Sequence, residues 1–222
     1  MRGQRAKAPE PGRMDVEVLP SVRWAGPAQV DLAVDIPLGG VSLGNDRAGQ
    51  PAAVAMVQPR PVRIGLLGHP AWGAALAHRL LSVGCQVAVL TTGSKHWAAL
   101  RTTANPPWLT WLNGPTRWPP GRDGTAGFRG PQVLIVDYPT PPPLWIGNQP
   151  WCTVVHASTA APIGSEFWSN TDALLLTAPG YGAVVAQRWG LPDAALADDL
   201  RPGEIALADR HGVLPIVFPR TG

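Results

Sequence analysis

Five short apolar runs recur along the chain: "VRIGLLG" at 62–68, "CQVAVLTT" at 85–92, "QVLIVDY" at 132–138, "WCTVVHA" at 151–157 and "DALLLTA" at 172–178. Each is rich in aliphatic and β-branched side chains and bounded by Gly, Pro or polar residues, the mark of a strand buried on both faces. "WLTWLNG" at 108–114 is a further strand candidate. Between the first two runs the period changes to that of a helix. Trp72, Leu76, Leu80 and Val83 fall on one face, His78 and Ser82 point away, and Gly84 closes the element. Ser94 can cap a second helix that runs to about Thr103. "GYGAVVAQRWG" at 180–190 reads as another helix, stopped by Gly190.

The two flanks read differently. Residues 1–13 are polar, basic and proline-bearing, and are expected to be a disordered arm. "QVDLAVDIPLG" at 29–39 alternates apolar and polar positions, and "GVSLGNDRAGQPAAVAMVQ" at 40–58 reads as two strands joined by a turn. Near the other end, "EIALADRHGVLPIVFP" at 204–219 reads as a hairpin turning at Asp209–Gly212. Both hairpins place Asp-Arg before a glycine and then a proline. The expected organisation is an N-terminal β unit at 14–61 and an α/β domain at 62–222, together one domain. Strands alternating with helices predict a Rossmann-like, mostly parallel sheet with flanking helices and antiparallel β-hairpins added at both ends.

Composition narrows the function classes. Apolar residues make up 45% of the 222, so a substantial core can form, while 25 glycines and 26 prolines gather between the apolar runs. The charge of +3 comes from 18 basic and 15 acidic residues spread along the chain, which argues against a nucleic-acid footprint. No stretch reaches the ~18 apolar residues of a membrane-spanning helix, and no signal peptide is recognisable. A cytoplasmic protein is expected. Cys85 and Cys152 each sit inside an apolar run with no zinc-ligand spacing around them; a disulfide between them stays open.

The sharpest chemical question lies in "LGHPAWGAALA" at 67–77. A dinucleotide fingerprint needs one glycine for a tight turn, one for close phosphate approach and one for helix packing. Gly68 and Gly73 suit the first and third roles, but Pro70 occupies the second. Its ring fills the phosphate's space and it has no N–H to donate. Proline suits the start of a helix equally well. The acidic residue expected on the ribose is also missing, since the second strand ends Thr91-Thr92. The expectation is therefore no cofactor. The alternative is an NAD(P)-binding oxidoreductase-like enzyme using Gly68, Gly73 and Thr92.

Other constellations add little. There is no P-loop, so the apolar strand ending at Asp137 resembles an ATPase strand without its phosphate partner. There is no DxD for a metal-dependent sugar transferase, and Ser165 lacks a nucleophile elbow. His156 and His69 are read as structural, and Asp198-Asp199 as a capped or solvated turn. No catalytic residue and no metal ligand is assigned. Trp108, Trp111, Trp118 and Trp145 lie in or beside proline-rich loops, and Trp118 and Trp145 are the candidate interface anchors within 106–120 and 139–151.

The order of segments resembles a known family. A β unit with "DRAGQP" precedes "RIGLLGHPAWGAALAHRLLSVGCQVAVLTTGSKHWAAL", in which Thr92 is followed five positions on by Trp97. Then come "VLIVDYPTPPP", "WCTVVHA" and "LADDLRPGEIALADRHGVLPIVF". Over roughly residues 35–220 this is similar to the cytosolic domain of EccE, the E component of the actinobacterial type VII (ESX) secretion machinery. The resemblance implies a non-enzymatic scaffold whose partners are other type VII secretion components, at the cytoplasmic face of the inner membrane. Family members usually carry two transmembrane helices ahead of this domain. None is recognisable here, so membrane contact is expected only through partners or a missing N-terminal segment.

Overall fold

The computed structural model describes residues 40–92, 95–102, 108–114, 118–119 and 131–219, all within one compact unit, Pro37–Gly222. The arm at 1–13 and the alternating segment at 29–39 lie outside the described residues, as does Ser94.

In chain order the described elements begin with β1 (Val41–Asp46), β2 (Pro51–Val54), β3 (Val62–Leu67), α1 (Ala71–Ser82) and β4 (Gln86–Thr91). A 3₁₀ turn at Lys95–Trp97 leads into α2 (Ala98–Thr102), followed by β5 (Leu109–Leu112), β6 (Gln132–Asp137) and β7 (Cys152–Ser158). Then come α3 (Glu166–Ser169), β8 (Ala173–Leu176), α4 (Gly182–Trp189), β9 (Glu204–Asp209) and β10 (Gly212–Val217). The strands form one sheet in the order β2-β1-β10-β9-β8-β3-β7-β6-β4-β5. From β8 to β5 every neighbouring pair is parallel, and from β8 to β2 every pair is antiparallel. The α/β class, the mostly parallel sheet and the added hairpins are thus present. The hairpins from the two chain ends gather on a single flank of the sheet.

The strand order has a consequence for the site. In the 3-2-1-4-5-6 dinucleotide fold the first and second strands are neighbours. Here β7 and β6 stand between β3 and β4, so α1 carries the chain back across two strands before β4 begins. The central strands β6 and β7 are buried on both faces, which is why "VLIV" and "TVVHA" run without alternation. Their side chains still divide by parity. Ile64, Leu66, Val87, Val89, Val133 and Ile135 meet Leu76, Ala77, Leu80 and Trp97 on one face. Leu67, Leu90, Leu134, Val136, Leu174 and Leu176 meet Phe167, Trp168 and Val185 on the other.

The phase of α1 is close to the one read from the sequence. Leu76 and Leu80 are buried with Gly73 and Ala77, and His78 is exposed. Trp72 sits on the flank, its ring 4.5 Å from Phe218. Val83 departs from the pattern at 57% exposed. The helix ends at Ser82, and Gly84, with φ +82°, turns the chain away before Val83 can reach the core. Amides of Gly84 and Cys85 close this end on the carbonyls of Leu81 and Leu80, at 3.1 and 3.0 Å. Cys85 packs on one face of the sheet and Cys152 on the other. Both are free thiols, and burial raises the Cys152 pKa to about 11.

The two Asp-Arg turns share one device. Asp46 Oδ1 accepts the amides of Ala48 and Gln50, and Asp209 Oδ1 accepts that of His211. Arg47 then ties the first hairpin to the second. Its Nε and one terminal nitrogen donate to the two Glu204 carboxylate oxygens at 3.0 and 2.7 Å. The same terminal nitrogen reaches the Asp199 carbonyl at 2.6 Å. The Glu204 side chain is only 5% exposed.

Candidate functional site

Open α/β sheets bind ligands at the carboxyl ends of their parallel strands. Here that edge is formed by the turn after β3, the end of β4, Asp137 of β6, Ser158 of β7 and Thr177 after β8. Gly68 turns the chain with φ +120°, and a Cβ there would collide with Thr177 Oγ1. The turn's glycine is therefore required by packing against β8.

A phosphate site at a helix start needs backbone N–H groups left open to it. None is open here. The Gly68 amide donates to the Ser158 carbonyl at 3.0 Å, and that of His69 to Thr177 Oγ1 at 3.0 Å. Pro70 has no N–H. The Ala71 amide donates to His69 Nδ1 at 3.2 Å, so a side chain ahead of the helix takes up its first N–H. Trp72 and Gly73 donate to the carbonyls of His69 and Pro70 at 3.1 and 3.2 Å. From residue 68 to 73 every amide is engaged within the protein.

The third glycine serves an aromatic ring. A Cβ on Gly73 would lie 3.1 Å from the Trp97 ring, which is completely buried. Trp97 Nε1 donates to Asp137 Oδ2 at 2.6 Å, and Thr91 Oγ1 donates to the same oxygen at 3.1 Å. The ATPase-like aspartate thus holds the ends of β4 and β6 to the turn after β4. Thr92 is exposed, and β7 and β6 separate its strand from β3. The turn that follows Thr92 nonetheless folds back over the start of α1, with the His96 ring 5.1 Å from that of His69 and Trp97 against Gly73.

His156 is fully buried in β7. Trp168 Nε1 can only donate, so His156 Nδ1 accepts its proton at 2.8 Å, and Nε2–H must donate to the Tyr138 carbonyl at 2.9 Å. Burial lowers its pKa, opposed by the Tyr138 carbonyl and the Asp137 charge. The ring is a neutral structural link with both nitrogens in use. Ser165 caps α3, accepting the Trp168 amide at 3.4 Å. Asp198 Oδ1 accepts the Gly182 amide at 2.7 Å at the start of α4, and Asp199 lies 3.6 Å from Arg47. Among the described residues no group of three His, Cys, Asp or Glu could hold a metal ion.

The chain is similar in fold to the cytoplasmic domain of EssC. EssC is a component of type VII secretion. The likeness has a TM-score of 0.53 at 14% identity, over 87% of this chain and 45% of that one. This chain therefore spans just under half the length of the EssC domain it matches. A genome packaging NTPase, B204 from Sulfolobus turreted icosahedral virus 2 solved with AMP, aligns with a TM-score of 0.46 at 8% identity, over 74% of this chain and 99% of that one. No family model and no curated protein sequence matches the chain. The likeness to EssC supports a fold shared with a type VII secretion component, and not the E component in particular.

The two candidate anchors part company. Trp145 is 60% exposed on the proline-rich connection between β6 and β7. Trp118 is 6% exposed, packed with Ile146 and Val154 under Gly147, so it belongs to the core and is withdrawn as an interface anchor. The physical reason is local: the connection after β6 folds back so that the Gly147 amide donates to the Trp118 carbonyl at 3.1 Å, and the indole lies against Gly147 in the core that holds Cys152 and Val154. Residues 106–107, 115–117 and 120 of the 106–120 segment lie outside the described residues. Sequence reading missed the Arg47–Glu204 link, although a glutamate directly ahead of the apolar run "IALA" was a signal that its charge needs a partner. No described helix is long and apolar enough to cross a membrane.

Proposed function

We propose that this chain is a non-enzymatic contact domain of a type VII (ESX) secretion complex, of the kind its resemblance to the EccE cytosolic domain implies, working on the cytoplasmic side. The observation that carries the non-enzymatic part is the closed glycine turn, in which every N–H from Gly68 to Gly73 already has a protein acceptor. The fold shared with the EssC cytoplasmic domain supports the secretion part. With the amides of this turn engaged, the domain acts through its surface. Trp145, 60% exposed on a stiff proline loop, with Tyr138 at 42%, offers an aromatic anchor that loses little chain entropy on docking.

Affinity-tagged full-length chain, expressed in its host and cross-linked, should recover identified type VII components. Trp145→Ala should reduce that recovery at least about tenfold, as for an interface residue worth ~1.4 kcal/mol or more, and leave the melting temperature nearly unchanged. Recovery of no such component by either protein would refute the secretion reading. Undiminished recovery with Trp145→Ala would remove Trp145 from the interface.

A further inference from the structure

Opposite the closed carboxyl edge, at the amino ends of β3 and β8, lies an open groove of about 790 Å³. The Ala53–Val54 segment of β2 and Leu207 of β9 give it apolar walls, and it is also lined by Arg60 and Asp172 ahead of β3 and β8, Arg188 of α4, and Asp209 and Arg210 at the β9–β10 turn. Asp172 is engaged through both oxygens and Asp209 through one. Asp172 Oδ1 pairs with Arg60 at 2.7 Å while its Oδ2 accepts the Arg63 amide at 2.8 Å, and Asp209 Oδ1 holds the His211 amide at 2.7 Å. Among the described residues Arg188 and Arg210 have no carboxylate partner. Arg188 places one terminal nitrogen on the Thr171 carbonyl at 3.1 Å, and its Nε is buried with no acceptor at all. Arg210 Nε donates to His211 Nε2 at 3.1 Å in the exposed turn between β9 and β10.

A buried guanidinium N–H without an acceptor is uncommon and unfavourable, and an incoming carboxylate relieves it. We propose that this groove receives an extended acidic peptide segment of a partner protein, with its carboxylates on Arg188 and Arg210. Extension is favoured because β2 ends the sheet, so that among the described residues one side of its backbone has no strand partner. A peptide fits better than a nucleic acid. Asp172 and Asp209 repel closely spaced phosphates, whereas a peptide alternates carboxylates with apolar side chains that suit Leu207 and the β2 wall. This inference does not depend on the secretion reading, and either can fail alone.

The test is fluorescence polarisation of the full chain with a fluorescein-labelled octapeptide of alternating glutamate and valine. Binding is expected in the range of tens of micromolar at low salt, weakening as salt rises toward 0.2 M. Arg210→Gln, in an exposed turn where folding does not depend on it, and Arg188→Gln should each weaken binding about tenfold, while Arg101→Gln on α2 leaves it unchanged. Absence of binding up to about 1 mM (~−4 kcal/mol), or equal binding by all three variants, would overturn the proposal. So would a labelled deoxythymidine decamer that binds as tightly as the peptide.

Discussion

Trp97→Ala is expected to destabilise the fold by about 3–5 kcal/mol, the largest effect of any single aromatic truncation here. The ring is completely buried, fits against Gly73, meets Trp111 edge-on at 5.9 Å and holds Asp137 through its N–H. Truncation leaves a cavity between α1 and the sheet and an aspartate oxygen short of a donor. Trp97→Phe separates the two effects: it keeps most of the volume, loses the N–H and should cost about 1–3 kcal/mol. Urea unfolding followed by far-UV circular dichroism measures both. A loss below about 1 kcal/mol for Trp97→Ala would mean that the pocket collapses around the missing ring, contrary to the tight packing at Gly73.

The second large effect is electrostatic. The Arg47 guanidinium, bonded to both oxygens, holds the Glu204 carboxyl at about 2, assisted by the Arg201 amide at 2.9 Å and opposed by burial. The folded pKa lies below the unfolded value of about 4.3, so the native state binds fewer protons than the unfolded chain between those limits. The contribution is therefore complete above about pH 4.3 and fades as pH falls toward about 2. At pH 7 Glu204→Gln should cost about 2–3 kcal/mol, below the range for a fully buried pair, because the Arg47 side chain is 28% exposed and water screens it. The gap between wild type and variant should shrink as the buffer moves from about pH 5 to about pH 2.5. A gap that stays constant over that range would assign the loss to packing and not to charge.

Much of this architecture was legible because buried parallel strands write themselves into sequence as unbroken aliphatic runs. "VRIGLL", "QVLIVD" and "TVVHA" are examples, and Gly84 and Gly190 marked the helix ends for conformational reasons. Strand order was not legible. A strand, a helix and a strand in succession look the same whether the second strand sits beside the first or beyond β7 and β6. At the glycine turn Pro70 could be judged from its own chemistry. The acceptors that close the turn, Ser158 and Thr177, come from distant strands and left no local signal. The spacing from Thr92 to Trp97 was visible as a pattern, but its reason, an indole against Gly73 and Asp137, needed three dimensions. Trp118 and Trp145 look alike in sequence, each beside prolines, and only the packing of Trp118 with Ile146 and Val154 decides that one is core. The arginine groove gathers side chains from segments far apart in the chain and had no linear motif to find.

The most direct test of the closed turn is calorimetric titration of the full chain with magnesium–ATP and, separately, with NADH. Because no amide from Gly68 to Gly73 is open to a phosphate, no heat beyond dilution is expected at about 1 mM of either ligand. Pro70→Gly should stay equally silent, since removing the ring frees none of the engaged amides. A dissociation constant of about 10 μM or tighter (roughly −7 kcal/mol) for either nucleotide would contradict the contact-domain reading and return the chain to the nucleotide-binding enzymes.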